Sequence, residues 1–295
     1  MLRIRTILTV LCCGIISGPV SPGFTQSLFD PPISERKSVL EARVVVPANP
    51  EETNGSRPKI PRTLPFGVGE KMIFSVSWSG IDAGTASLEV KELLSYEGHE
   101  VFRIVSVAKT NKFFSVFYKM HDTLESFFDT KGLFSRRYQK IEREGNSESN
   151  REFIFDQEQN RVFYKGQAYY TLPGVQDELS LIYYARTLDL QVGNFIYIDV
   201  FSSKKNWRVK AQVLRKEQVT VPAGTYNTVV VEPEIKFHGI LESGNMTIWF
   251  TDDERKIPVK MKSNIKIGSI EAKLEKFQLA GTPETVSDKG DGEEE

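Results

Sequence analysis

Between Leu64 and Leu279, apolar residues fall at alternate positions in short runs, and glycine or aspartate cuts the runs at intervals of roughly ten residues. Alternation with a period of two puts all the apolar side chains of a run on one face of an extended chain. The first run is the clearest: Lys71 to Trp78 carries Met72, Phe74, Val76 and Trp78 in step. A turn over Gly80 to Gly84 leads into Thr85 to Leu93, and Gly98 separates that from Val101 to Lys109. Thr123–Phe128, Phe134–Ile141, Arg151–Phe155 and Val162–Tyr164 continue the series. A second set comprises Phe195–Phe201, Trp207–Leu214, Glu217–Val221, Asn227–Glu234, Asn245–Phe250, Ile257–Lys266 and Ser269–Phe277. Strands and helices do not alternate, which disfavours a doubly wound parallel sheet. The fold class is mainly β: an antiparallel meander forming a curved sheet or a (half-)barrel. Aromatic residues make up 11% of the chain, and large flat side chains suit such a pleated surface.

Two segments depart from the alternation. Asp177 to Leu188 (DELSLIYYARTL) holds good helix formers and no turn residue, and Pro173 and Gly174 precede it. Asp177 suits a helix N-cap or first turn. The apolar residues lie on two sides, with Leu179, Ile182 and Tyr183 on one and Leu181, Tyr184 and Leu188 on the other. A helix that is apolar on most sides is buried on most sides. It is expected within the concave face of the sheet or across a barrel mouth. Asn111 to Met120 (NKFFSVFYKM) places Phe113, Phe114, Phe117 and Tyr118 within two turns of one another. That spacing fits a short helix with one aromatic face, and equally an aromatic loop. Its ordinary role is core packing; its functional role is a lid over a cavity.

The ends differ in composition from the centre. Arg3 and Arg5 precede an apolar stretch, Ile7 to Ile16, and Ser17, Gly18 and Pro19 break it. This pattern predicts a secretory signal peptide over residues 1–26, hence a periplasmic or secreted bacterial protein. The stretch is too short to cross about 30 Å of hydrocarbon, so no transmembrane span is expected in the mature chain. Cys12 and Cys13 both lie inside it, with Leu11 where lipidation needs a small residue. Their removal leaves a mature chain without disulfides, thiol catalysis or cysteine metal sites. Residues 27–63 carry Pro31, Pro32, Pro47, Pro50, Pro58 and Pro61 among polar residues, the composition of a disordered linker. The β-rich domain is placed at 64–279 and an acidic disordered tail at 280–295, where Glu284 to Glu295 holds six acids and one lysine. The net charge is −1 over 295 residues, and −3 without Arg3 and Arg5, which gives no footprint for nucleic acid.

Nothing in the chain forms a catalytic signature. It contains no nucleophile elbow, phosphate loop, dinucleotide glycine pattern or H-E-x-x-H. His99 and His238 sit beside Gly98 and Gly239 in expected turns. His121, Asp122 and Glu125 meet on one face only if that segment is helical, and even then make a weak metal set. Asp252 and Asp253 read as a hairpin turn. Paired carboxylates serve glycosidases, so Asp122, Glu125, Asp252 and Asp253 define a third reading, a glycan-processing enzyme. No catalytic residue, metal or cofactor is assigned.

Several segments together resemble a family of bacterial exported proteins known as domain of unknown function 3108. They are LPFGVGEKMIFSVSW from Leu64 with GTASLEV from Gly84, Tyr118 to Phe128, QDELSLIYYARTLDLQVG from Gln176, VPAGT from Val221, IWFTDDERKIPVKMK from Ile248, and Ile267 to Ala272. The resemblance implies an envelope β-protein and brings no activity, cofactor or catalytic residue with it.

The leading expectation is a non-enzymatic envelope protein that binds a lipid or another apolar or amphipathic ligand. The residues expected to line its site are Phe113, Phe114, Phe117, Tyr118, Leu181 and Tyr184. The alternative is an interaction or scaffold module for an envelope protein complex, reached through the proline-rich arm and the acidic tail.

Overall fold

A computed structural model describes residues 63–234, 246–265 and 268–281. The signal-peptide segment, the proline-rich arm, His238 and nearly all of the acidic tail lie outside these residues.

The chain forms one sheet of 14 strands in the order β8-β7-β6-β5-β4-β3-β2-β1-β14-β13-β12-β11-β10-β9. The first arm holds β1 (Lys71–Trp78), β2 (Ile81–Tyr96), β3 (His99–Thr110), β4 (His121–Asp129), β5 (Ser135–Glu144), β6 (Ser147–Asp156), β7 (Arg161–Tyr164) and β8 (Gln167–Tyr170). The second holds β9 (Phe195–Ser202), β10 (Lys205–Val221), β11 (Gly224–Glu234), β12 (Met246–Thr251), β13 (Pro258–Asn264) and β14 (Ser269–Gln278). Within each arm every strand pairs antiparallel with its sequence neighbours, and the pairing of β1 with β14 joins the two arms.

The hairpin turns show why the sequence folds this way. Glu97 and Gly98 both have positive φ, 50° and 81°, so Tyr96 pairs directly with His99 across a two-residue turn. Such a turn has the twist that flanking strands need, and glycine adopts it without strain. Two expected runs, Trp207–Leu214 and Glu217–Val221, are one continuous strand, β10, whose register shifts between Val213 and Arg215. A bulge bends a long strand without ending it, so the polar Arg215–Lys216 stretch is not a turn. The expected turn over Gly80 to Gly84 is likewise shorter, and Gly84 lies inside β2.

The inner face carries the core, including Met72, Phe74, Ile104, Leu124 and Phe128 from the first arm and Val213, Val231, Phe250 and Val259 from the second. Two helices accompany the sheet. Helix α1 (Lys112–Phe117) projects from the end of the β3–β4 hairpin, and helix α2 (Ser180–Thr187) packs inside against β4 and β9. No helix among the described residues is long and apolar enough to cross a membrane.

The edge strands β8 and β9 do not pair with each other. Residues 171–177 run along the gap and bridge it at Gln176, and the sheet stays open. Gln176 forms a parallel bridge with Val200: its N–H donates to the Asp199 carbonyl at 2.8 Å, and its carbonyl accepts from Phe201 at 2.8 Å. The Gln176 side-chain amide donates to the Leu133 carbonyl in the β4–β5 turn at 2.7 Å. One glutamine therefore ties β9 to the opposite arm. Gln157 at the end of β6 adds bonds to the carbonyls of Ser135 and Val175. Beneath this seam Phe201 of β9 meets the rings of Phe153, Phe155 and Tyr169 at 6.1–6.2 Å.

Candidate functional site

Helix α2 determines what space remains inside the sheet. Every polar side chain from Gln176 to Ser180 is used to hold it. The Asp177 Oδ1 accepts from the N–H groups of Leu179 and Ser180, both at 2.7 Å, satisfying donors that a helix start leaves open. Its Oδ2 accepts from the hydroxyls of Ser126 and Ser135 at 2.6 and 2.5 Å. Burial raises this carboxyl to about 6, and the four donors restrain the rise. The sequence placed Asp177 at an N-cap or in the first turn of the helix; the helix proper begins at Ser180, three residues later.

Glu178 is the second anchor. Its carboxylate accepts from Tyr138 Oη at 3.0 Å, from Lys140 Nζ at 3.5 Å and from the Ser202 hydroxyl. Lys140 also meets Glu142 at 3.2 Å, and Glu142 in turn pairs with Arg151. Burial alone raises the Glu142 carboxyl, but Lys140 and Arg151 outweigh it and hold the group below the usual range. At its other end, Arg186 is fully buried against Glu70.

These anchors press one face of α2 into the first arm. Leu179 and Tyr183 there have 0% exposure. Phe66 touches both Tyr183 and Phe128, with ring centroids at 4.9 and 5.8 Å. The other face stands off the second arm. Leu181, Ile182 and Ala185 look across a narrow gap to Ile198, Val209, Ala211, Ile248 and Phe250. The gap is about 40 Å³ and almost wholly apolar, with Glu178 as its single charged lining residue. A void of that size would admit a few waters by volume, but its walls offer them too few partners. As it stands it takes the tip of an apolar chain at most, since ligand cavities usually offer ~300 Å³ or more.

The six residues expected to line a site are not brought together. Leu181 lines the slot, and Tyr184 is half-buried on the β9 side of α2. Phe113, Phe114, Phe117 and Tyr118 belong to α1 and its C-cap, outside the slot. Core packing of that segment is corrected, because no residue of α1 is buried. Phe113, Val116 and Phe117 are 62%, 80% and 76% exposed. The reason is local. Asn111 caps the helix by accepting from Phe114 N–H at 2.8 Å, and its amide binds the Asp82 carbonyl, so the turn stands on the rim of the hairpin.

The other candidates separate in the same way. His121 to Asp129 is a strand, so Asp122 faces inward while His121 and Glu125 face outward, and the three do not converge. Glu125 is held by Arg103 and Arg137. Asp253 accepts from Thr251, Arg255 and Lys256 within the β12–β13 turn. The four acids of the glycan reading therefore lie on an inner face, an outer face and a remote turn. His99 is not a free turn residue either, since Arg136 lies 3.1 Å from its Nδ1. A missed grouping is Asp122 with Glu142 and Glu144, whose carboxyl oxygens lie within 4.8 Å of one another on the inner face. Lys140 and Arg151 supply its neutralising charge. Only strand register brings Asp122 beside Glu142, and no local spacing signals it.

The chain matches the family model described as protein of unknown function (DUF3108) over residues 73–275, and it belongs to that family. No curated protein matches it. Among solved structures it is similar to a β-barrel-like protein of domain of unknown function DUF1849 from Brucella abortus, at 12% identity and TM-score 0.46, covering 74% of this chain and 100% of that one. It is also similar to a candidate lipoprotein from Parabacteroides distasonis, at 11% identity and TM-score 0.34, covering 73% of this chain and 99% of that one. Likeness at these scores carries no argument about what this protein does.

Proposed function

We propose that this member of the DUF3108 family is an exported, non-enzymatic envelope protein that binds the apolar chain of an amphipathic molecule between α2 and the second arm of the sheet. One observation carries the reading: α2 packs without exposure on one side and leaves an apolar slot on the other, lined by Leu181, Ile182, Ala185, Val209, Ala211 and Ile248. The apolar walls supply the affinity, and the polar end of the ligand stays outside the slot, because Glu178 is already engaged by Tyr138, Lys140 and Ser202. The slot as it stands, about 40 Å³, is far below the ~300 Å³ of a usual ligand cavity, so a chain enters only as α2 or β9 gives way and widens it. Export is supported by the pattern of Arg3, Arg5 and the apolar Ile7–Ile16 stretch.

The test is solvent extraction and mass spectrometry of protein purified from its native envelope, together with titration by an environment-sensitive fluorescent fatty acid. A co-purifying single-chain species and saturable probe binding are expected. Ala211→Leu, which fills the slot, should weaken probe binding about tenfold or more, because the added atoms occupy the ligand's place. Lipid-free protein and no saturable probe binding would overturn the reading.

A further inference from the structure

The exposed apolar groups of α1 have no partner of their own chain among the described residues, and they are not scattered. The rings of Phe113, Phe114 and Phe117 form one cluster, with centroids 5.7 Å apart in each adjacent pair. Phe114 is its root, since it packs edge-on against Trp78 at 6.1 Å. Trp78 in turn pairs across the β1–β2 hairpin with Ile81, itself 56% exposed. The result is a continuous apolar crest at one end of the sheet, fixed to it by Trp78 and by the Asn111 cap. A soluble protein rarely leaves such a crest uncovered without use.

The charge around the crest says what covers it. Lys112 opens α1, Lys119 follows it, and Lys109 precedes it on β3; all three are exposed, and none is ion-paired with any described residue. Asp82, the acid at the foot of the crest, receives the Asn111 amide at 3.1 Å. On the far side, the Lys119 carbonyl is bonded to the β5–β6 turn, where Glu148 is paired with Arg143. Exposed aromatic side chains with unpaired lysines beside them match a lipid surface, which offers acyl chains to the one and anionic headgroups to the other.

We infer that α1 and the β1–β2 turn dock this protein on an anionic lipid bilayer, with Phe113, Val116 and Phe117 inserted among the acyl chains and Lys109, Lys112 and Lys119 on the headgroups. This surface is separate from the slot beside α2, so the two proposals stand or fall apart.

Flotation of the purified protein with vesicles tests it, comparing phosphatidylcholine alone with phosphatidylcholine containing phosphatidylglycerol. Binding to the anionic vesicles is expected, weakening as salt rises. The triple variant F113S/V116S/F117S should bind about tenfold or more weakly with an unchanged unfolding midpoint, because its side chains are exposed. K109Q/K112Q/K119Q should lose the preference for anionic vesicles. The slot variant Ala211→Leu should float like the parent protein. Failure to float with either vesicle overturns the inference, as does undiminished binding by the serine variant. A dimer in solution that F113S/V116S/F117S converts to monomer, without vesicle binding, would also overturn it and assign the crest to a second copy of the chain.

Discussion

Arg186 and Glu70 are 116 positions apart and meet as a doubly bonded pair, Nη1 to Oε1 at 2.7 Å and Nη2 to Oε2 at 2.8 Å. The guanidinium also donates to the carbonyls of Arg255 and Pro65. It therefore ties α2 to the segment before β1 and to the β12–β13 turn. Removing one partner leaves the other charge buried and unmatched. Arg186→Met should cost about 3–5 kcal/mol in urea unfolding. The double variant E70L/R186M should recover much of that loss, though not all, because two carbonyls stay unpaired.

Asp177 makes stability depend on pH in an unusual direction. Burial raises its carboxyl from 3.8 to about 6 in the folded chain. Folding then takes up a proton in that window, so this group's contribution is complete below it and falls as pH rises through it. From about pH 4 to pH 7 the protein should lose on the order of 2–3 kcal/mol through this group alone. Asp177→Asn should flatten that part of the profile. Urea midpoints of parent and variant across the range check it, and parallel slopes would refute it.

The slot is a packing defect in the absence of ligand. Ala211→Val adds volume on its wall and a side chain suited to a strand. The gain should be about 0.5–1 kcal/mol by thermal unfolding. The same substitution on a filled wall would cost stability instead.

Gly84 marks a close approach of two backbones. A Cβ there would lie 2.1 Å from the Lys109 carbonyl oxygen, beside the bulge that leaves Ala83 of β2 unpaired with β1. Gly84→Ala should lower stability by about 2–4 kcal/mol in denaturant unfolding, because the contact is with backbone that cannot step aside.

Much of this architecture was legible in the chain. The alternation at Met72, Phe74 and Val76 gave the strand and its buried face together, and β1 begins and ends where the pattern does. The helical reading of Asp177 to Leu188 was close because its residues do not alternate. Its lead-in was not legible as a strap. Gln176 reads as an ordinary polar residue, and only the juxtaposition of Val200 and Leu133 makes it a tie across the seam. The candidate site was legible only in Leu181. Its other walls come from β9 to β12, and which face of α2 packs tightly depends on Arg186 reaching Glu70 across the whole first arm. The aromatic segment fits a short helix and a loop equally by its spacing, which also carries no sign of which side meets water; it is a helix over Lys112–Phe117. The four-residue edge strand β8 was missed because none of its residues is buried, so no alternation marks it.

The strict neighbour order of the strands has a kinetic consequence. Thirteen pairings join the fourteen strands, and twelve of them close only short loops. The pairing of β1 with β14, which brings Lys71 opposite Gln278, must close almost the whole domain. Loop closure over that span carries the largest entropic cost, so this ladder is expected to be the last to form. Each arm should zip along its own turns first. Pulsed hydrogen exchange during refolding should find the β2–β3 and β10–β11 amides protected before those linking Phe74 to Leu274.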